Sequence, residues 1–275
     1  MPNLVDTLAS YVPNLITQRL ADDPTPITAP MTERIPAAVL YADISGFTTM
    51  AEKLAACGPS GTEQLTERLN TYFGQLVDCI TVHGGDVVKF SGDGLLAFWP
   101  AYPAQAAEMS PLAHRRKWAA MRQTMADETY RATQCAVAVQ TLLHNYEQAA
   151  GFPLSARLSI GAGEVLVMHL GGVYSRWEFL ISGTPISHIK MLDRQTDPGR
   201  ICLSPEAWML VQDKCRGERL LGGHVNLEAM GELLPLRPSL PRHLPPTSEV
   251  ALRPYIPAAI LSRISAGQTG WLSEM

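Results

Sequence analysis

Along residues 61–83, Leu65, Leu69, Phe73, Leu76 and Ile80 recur at steps of three and four. That spacing predicts an amphipathic helix, closed by the glycine stop His83-Gly84-Gly85. Two apolar runs follow, 86–90 and 94–99, joined by Ser91-Gly92-Asp93. Short strands across a glycine turn predict a β-hairpin. Upstream, Leu4, Leu8, Val12, Leu15, Ile16 and Leu20 carry helical spacing, broken at Pro13. Residues 21–36 hold four prolines and read as an extended connector, and 37–42 (A-A-V-L-Y-A) read as a buried strand.

Residues 101–131 are polar and Met-rich and read as an irregular insertion, whereas 132–148 return to helical spacing. Strand-like runs at 154–161, 164–169 and 177–182 are punctuated by glycines, and a short helix at 185–194 and a strand at 200–203 follow. Prolines accumulate from 232 to 257, with a boundary near 232–247. The expected organisation is an N-terminal helix and linker (1–34), a main domain (35–232), and a Pro-rich linker and tail (233–275) leading to a missing downstream region. The element order predicts an α+β, ferredoxin-like sandwich: a mostly antiparallel sheet with helices packed on it. In that arrangement the first strand lies beside the hairpin.

Composition narrows the function classes. With 46% apolar and 17% charged residues, the 275-residue chain can build a large core. A net charge of −4 argues against nucleic acid as the main partner, and the basic run 114–117 reads as a solvated helix face. No apolar run reaches the roughly 20 residues of a membrane span, and no secretory leader is visible, so a cytoplasmic protein with no membrane partner is expected. The polar face of helix 4–20 is not basic, so it should pack on the domain. The five cysteines, Cys57, Cys79, Cys135, Cys202 and Cys215, read as buried thiols with no histidine partner. The histidines show no zinc-type spacing.

Candidate chemistry centres on two aspartates. V-L-Y-A-D-I-S-G-F-T places Asp43 at a strand end, and V-V-K-F-S-G-D-G-L-L-A-F-W places Asp93 in the hairpin turn. Paired carboxylates form a hard oxygen site for Mg²⁺, and an adjoining glycine turn can cradle phosphate. This is the chemistry of phosphoryl or nucleotidyl transfer. Singly, Asp43 also reads as a helix N-cap and Asp93 as a turn residue. Asp86 reads as a strand-entry residue.

These stretches, together with R-W-E-F-L-I-S-G-T-P-I (176–186), resemble the class III nucleotidyl cyclase catalytic domain. The likeness is to the first cyclase domain of the bicarbonate-responsive soluble adenylyl cyclases and spans about residues 35–210. The resemblance implies two Mg²⁺ or Mn²⁺ ions held by Asp43, Asp93 and the Ile44 carbonyl. It also implies phosphate binding at Ser45, Gly46, Phe47 and Thr48, and conversion of ATP to cyclic AMP and pyrophosphate. Lys89 and Lys190 would line a pocket for adenine or bicarbonate. The chain departs from the family where an active half needs Asn, Arg and a purine reader: those positions hold Ser187, Met191 and Leu180. Glu164 stands where many relatives carry a phosphate-contacting Arg. The expected role is therefore a metal-bearing half that needs a second cyclase domain in a pseudo-heterodimer, with little or no activity alone or as a homodimer. Two alternatives are a non-catalytic cyclase-fold regulator that binds nucleotide or bicarbonate, and a different two-metal enzyme on a related palm-like fold. The latter needs more acidic residues in the hairpin turn.

Overall fold

The computed structural model describes residues 3–91, 94–102, 111–150, 155–193, 196–239 and 242–267. Only the backbone is described at 44, 45, 47, 48, 91, 111–119, 144–150 and 193. The elements in chain order are α1 (Leu4–Ala9), α2 (Asn14–Asp22), β1 (Met31–Ser45), α3 (Phe47–Ala55), α4 (Pro59–Val82), β2 (Asp86–Ser91) and β3 (Gly94–Pro100). They continue with α5 (Pro111–Ala150), β4 (Ser155–Gly171), β5 (Trp177–Ser182), α6 (Thr184–Asp193), β6 (Ile201–Leu203) and α7 (Pro205–Val211). β7 (Cys215–Arg219), β8 (Val225–Met230), α8 (Glu249–Leu252) and α9 (Ala258–Ser265) complete the set.

The strands form one sheet in the order β2-β3-β1-β4-β6-β8-β7, and β5 pairs with the distal half of β4. Every pairing is antiparallel except β4 with β6. The expected α+β sandwich is therefore present, with β1 beside the hairpin.

Alternation along β1 divides the core. Ala38, Leu40 and Ala42 face a large cluster with Tyr72, Leu76 and Ile80 of α4 and with Cys135 and Val139 of α5. Ile35, Ala37 and Val39 face the other side, where Ile186 and Ile189 of α6 and Leu15 of α2 pack. Helices thus cover both sides of the sheet, and α6 sits on the second.

Two expectations need correction. Residues 21–36 are only partly a connector, because β1 begins at Met31. Pro36 is tolerated because its missing N–H falls on the β3 side, where ladder pairing begins only at Ala37 and the Pro36 carbonyl still accepts from the Ala101 N–H at 2.8 Å. Residues 111–131 are helical, not irregular: they form the first half of α5, with Met125 and Tyr130 in the core. The Arg, Gln, Met and Glu residues there are good helix formers. The basic run 114–117 lies on α5, where side chains are not described.

The terminal segments pack together. Leu8, Ile16 and Leu20 join Leu244, Leu252, Ile256 and Ile264 in a separate apolar cluster. His169 on β4 meets the Tyr255 hydroxyl at 2.7 Å, which anchors this cluster to the sheet. Among the described residues, no helix is long and apolar enough to cross a membrane.

Candidate active site

Near its end, β1 carries Asp43, with Gly94 of β3 on one flank and Arg157 of β4 on the other. Arg157 Nη1 donates to Asp43 Oδ2 at 3.0 Å, and the two side chains are 33% and 19% exposed. The carboxylate is partly wrapped by strand ends yet open to solvent, with a cation already beside it. Sequence spacing could not show Arg157, which lies 114 positions away and reaches Asp43 only through strand register.

Asp93 lies outside the described residues. Its covalent neighbour Gly94 is the direct cross-strand partner of Asp43, and Gly94 also pairs with Ser91 across the hairpin. Antiparallel partners have Cα atoms about 4.5–5.5 Å apart. A Cβ on Gly94 would come within 2.4 Å of the Tyr41 hydroxyl, so glycine makes room for Tyr41 beside the turn.

Beyond Asp43 the chain turns through Gly46, whose φ of 97° is left-handed and suits glycine. Gly46 is the N-cap of α3, so the first N–H groups of that helix, at Phe47 and Thr48, have no intrahelical acceptor. The side chains of Ile44, Ser45, Phe47 and Thr48 are not described.

Lys89 is exposed and stands opposite Leu96, which packs on the side covered by α6. Lys190 is exposed in the last turn of α6. Both lysines therefore belong to the same side of the sheet as Asp43. Ser187 and Met191, one helical turn apart on α6, face outward, with Met191 49% exposed. Leu180 pairs with Met168 within the β4–β5 arm. Glu164 is ion-paired with Arg34 at the surface.

Two other ionisable groups lie apart from Asp43. Asp86 accepts from the Asn14 N–H at 2.9 Å and the Leu15 N–H at 3.0 Å. It therefore caps α2 from across the fold, where Pro13 at the cap position has no side-chain acceptor. Burial pushes the Asp86 carboxyl up to about 6, against the opposing pull of those N–H groups and that of Val87. The second group corrects the cysteine expectation. Cys79 and His83 lie one turn apart at the end of α4, and Cys135 of α5 joins them. A hydrogen bond with Cys135 pulls the Cys79 thiol down to about 5, against burial and with help from His83. Cys57 is exposed rather than buried.

Comparison with known proteins agrees with the fold. Residues 30–233 match the family described as the adenylate and guanylate cyclase catalytic domain. The chain is 26% identical over 205 residues to adenylate cyclase type 10 of Oryctolagus cuniculus, covering 74% of this chain and 11% of that protein. An adenylate cyclase of Mycobacterium tuberculosis (strain ATCC 25618 / H37Rv) is 24% identical over 225 residues, 82% of this chain and 43% of that protein. The chain thus spans about a tenth of the length of the type 10 relatives it matches. Among solved structures, the adenylyl cyclase CyaB from P. aeruginosa superposes with a TM-score of 0.57 at 22% identity, covering 72% of this chain and 96% of that one. The guanylyl cyclase Cya2 gives 0.53 at 25% identity, covering 75% and 98%.

Proposed function

The chain belongs to the adenylate and guanylate cyclase catalytic domain family, and from that premise we propose that it is the metal-bearing half of an adenylyl cyclase. It converts ATP to cyclic AMP and pyrophosphate together with a second cyclase domain. The observation that carries this reading is the register that sets Gly94, bonded to Asp93, directly across from Asp43. That pairing supports convergence of two carboxylates at one end of the sheet.

Carboxylate and carbonyl oxygens at a strand end suit hard divalent cations. Asp43, Asp93 and the Ile44 carbonyl would hold two Mg²⁺ or Mn²⁺ ions, which when bound acidify the ribose 3′-hydroxyl and neutralise the triphosphate. The 3′-oxygen attacks the α-phosphorus and its proton goes to solvent. The bond from that phosphorus to the bridging oxygen breaks, and pyrophosphate leaves. Arg157 fixes Oδ2 of Asp43 and leaves Oδ1 for a metal. The turn from Ser45 through Gly46, Phe47 and Thr48 presents the first backbone N–H groups of α3 to the triphosphate.

The chain lacks three groups that the reaction needs. Ser187, Met191 and Leu180 supply no amide, guanidinium or base-reading hydrogen bond. A second domain brings them, so the chain alone, or as a homodimer, turns over slowly or not at all. ATP rather than GTP follows the names of the type 10 and mycobacterial relatives. Lys89 and Lys190 suit a small anion such as bicarbonate on the α6 side.

A second reading, a non-catalytic regulator that binds nucleotide or bicarbonate, is favoured by the outward-facing Ser187 and Met191. One assay separates the two. The chain is mixed with ATP, Mg²⁺ or Mn²⁺ and a cyclase domain carrying the Asn–Arg pair. Cyclic AMP formed only in the mixture, and lost with Asp43→Ala, supports the catalytic half. Binding of nucleotide or bicarbonate without turnover in any mixture supports the regulator.

A further inference from the structure

We propose that Cys79, His83 and Cys135 form a zinc site that ties the end of α4 to α5. The three ligand atoms lie within 4.8 Å of one another. Cys79 Sγ and His83 Nδ1 are 3.9 Å apart. A tetrahedral zinc with bonds of about 2.3 Å to sulfur and 2.0–2.1 Å to nitrogen requires S–S and S–N separations of about 3.8 and 3.5 Å. Closing the present triangle onto an ion therefore needs side-chain shifts of under about 1 Å, with no movement of the helices.

The frame around the ligands is fixed from three directions. Trp99 Nε1 donates to the His83 carbonyl at 3.0 Å. The Arg237 N–H donates to the Val82 carbonyl and the Ser239 N–H to that of Thr81. Cys135 is fully buried, His83 is nearly so, and Cys79 is partly open, which gives an ion a way in and leaves a fourth position for water.

Charge favours a divalent ion. Two thiolates and a neutral imidazole bring zinc to net zero, which adds no repulsion against Arg131, whose positive charge is felt at His83. On binding, both thiols release their protons to solvent as two Zn–S bonds form. His83 Nδ1, now 2.6 Å from the Cys79 carbonyl oxygen, exchanges that contact for the metal. The site is independent of Asp43 and of the cyclase reading.

The test uses the full chain, stripped with chelator, reduced, then titrated with Zn²⁺ alone and with Co²⁺ alone. The expected result is one zinc per chain retained through desalting, a thiolate-to-cobalt charge-transfer band, and a higher melting temperature with zinc. Cys79→Ser and His83→Gln should each weaken binding beyond the roughly 10–100-fold that even an outer-shell change produces. Cys57→Ser and Asp43→Ala should leave the cobalt band intact. Cys79 is less buried than Cys135, so its variant keeps the test valid if Cys135→Ser fails to fold. No retained zinc, a band that survives Cys79→Ser, or a Cys79–Cys135 disulfide formed in place of zinc binding would overturn the proposal.

Discussion

Asp43 and Asp86 are both strand-end aspartates beside glycine, and they stand at opposite ends of the same sheet. Their surroundings separate them. Each oxygen of Asp86 accepts a backbone N–H from the start of α2, a helix with no cap of its own. Asp43 has one oxygen on a single arginine nitrogen and none on a backbone donor among the described contacts. Asp86 is committed to holding two segments together, whereas Asp43 keeps acceptor capacity facing solvent. Strand-end position alone therefore does not tell the two carboxylates apart; acceptor capacity left at an open edge does.

The sharpest way to break this comparison is to remove each carboxylate in turn. On the proposed reading, Asp43→Ala should lower cyclic AMP formation in the two-domain mixture by at least about 10²-fold, because a metal ligand contributes several kcal/mol at the transition state. Its melting temperature should stay close to that of the parent. Asp86→Ala should do the reverse. Two N–H groups of α2 lose their acceptor, which lowers stability by about 2–3 kcal/mol in urea unfolding. Turnover per folded molecule should hold. Lost activity at native stability in the Asp86 variant would erase the distinction.

Titration sharpens it further. Asp86 is held up to about 6 by burial, above the roughly 3.9 of an unfolded aspartate. The folded state therefore binds the extra proton, and this group's contribution is fullest below pH 4 and falls as pH rises to about 6. His169 is pushed down to about 4 by burial and, secondarily, by Arg19, below the roughly 6.5 of an unfolded histidine. Its contribution is fullest above pH 6.5 and is lost as pH falls towards 4. The two slopes oppose each other between pH 4 and 6. Asp86→Asn should make the urea midpoint fall on acidification across that window, and His169→Gln should make it rise. Parallel profiles for both variants would show that neither group titrates as its surroundings dictate.

The sheet's left half was legible in the sequence for a local reason. The α4 stripe, the hairpin strands and the glycine turns are each set by spacing within one short segment, and so is Asp43 near the end of β1, whereas Asp93 lies outside the described residues. The first half of α5 was not, because its polar helix formers hide a sparse stripe through Met125 and Cys135 that only packing reveals. The site was half legible. Arg157 meets Asp43 through a β1–β4 register that no spacing encodes. Cys79 and His83 stand four positions apart on one helix, yet that spacing did not mark them as partners, and Cys135 is 56 residues from Cys79 and joins them only when α5 docks on α4.

Arg157→Met carries the smallest expected effect. The partly exposed pair with Asp43 contributes about 0.5–1 kcal/mol, so the unfolding midpoint should barely move. The larger consequence falls on metal affinity. A guanidinium 3.0 Å from Asp43 Oδ2 repels an incoming divalent ion, and its removal leaves both carboxylate oxygens available. Mn²⁺ titrated into the variant should bind a few-fold tighter than into the parent chain, with the difference shrinking as salt is raised. Arg157→Lys, which keeps the charge, should stay near the parent. Weaker Mn²⁺ binding in the Met variant would instead make Arg157 a positioning residue, one that orients the carboxylate more than it competes for it.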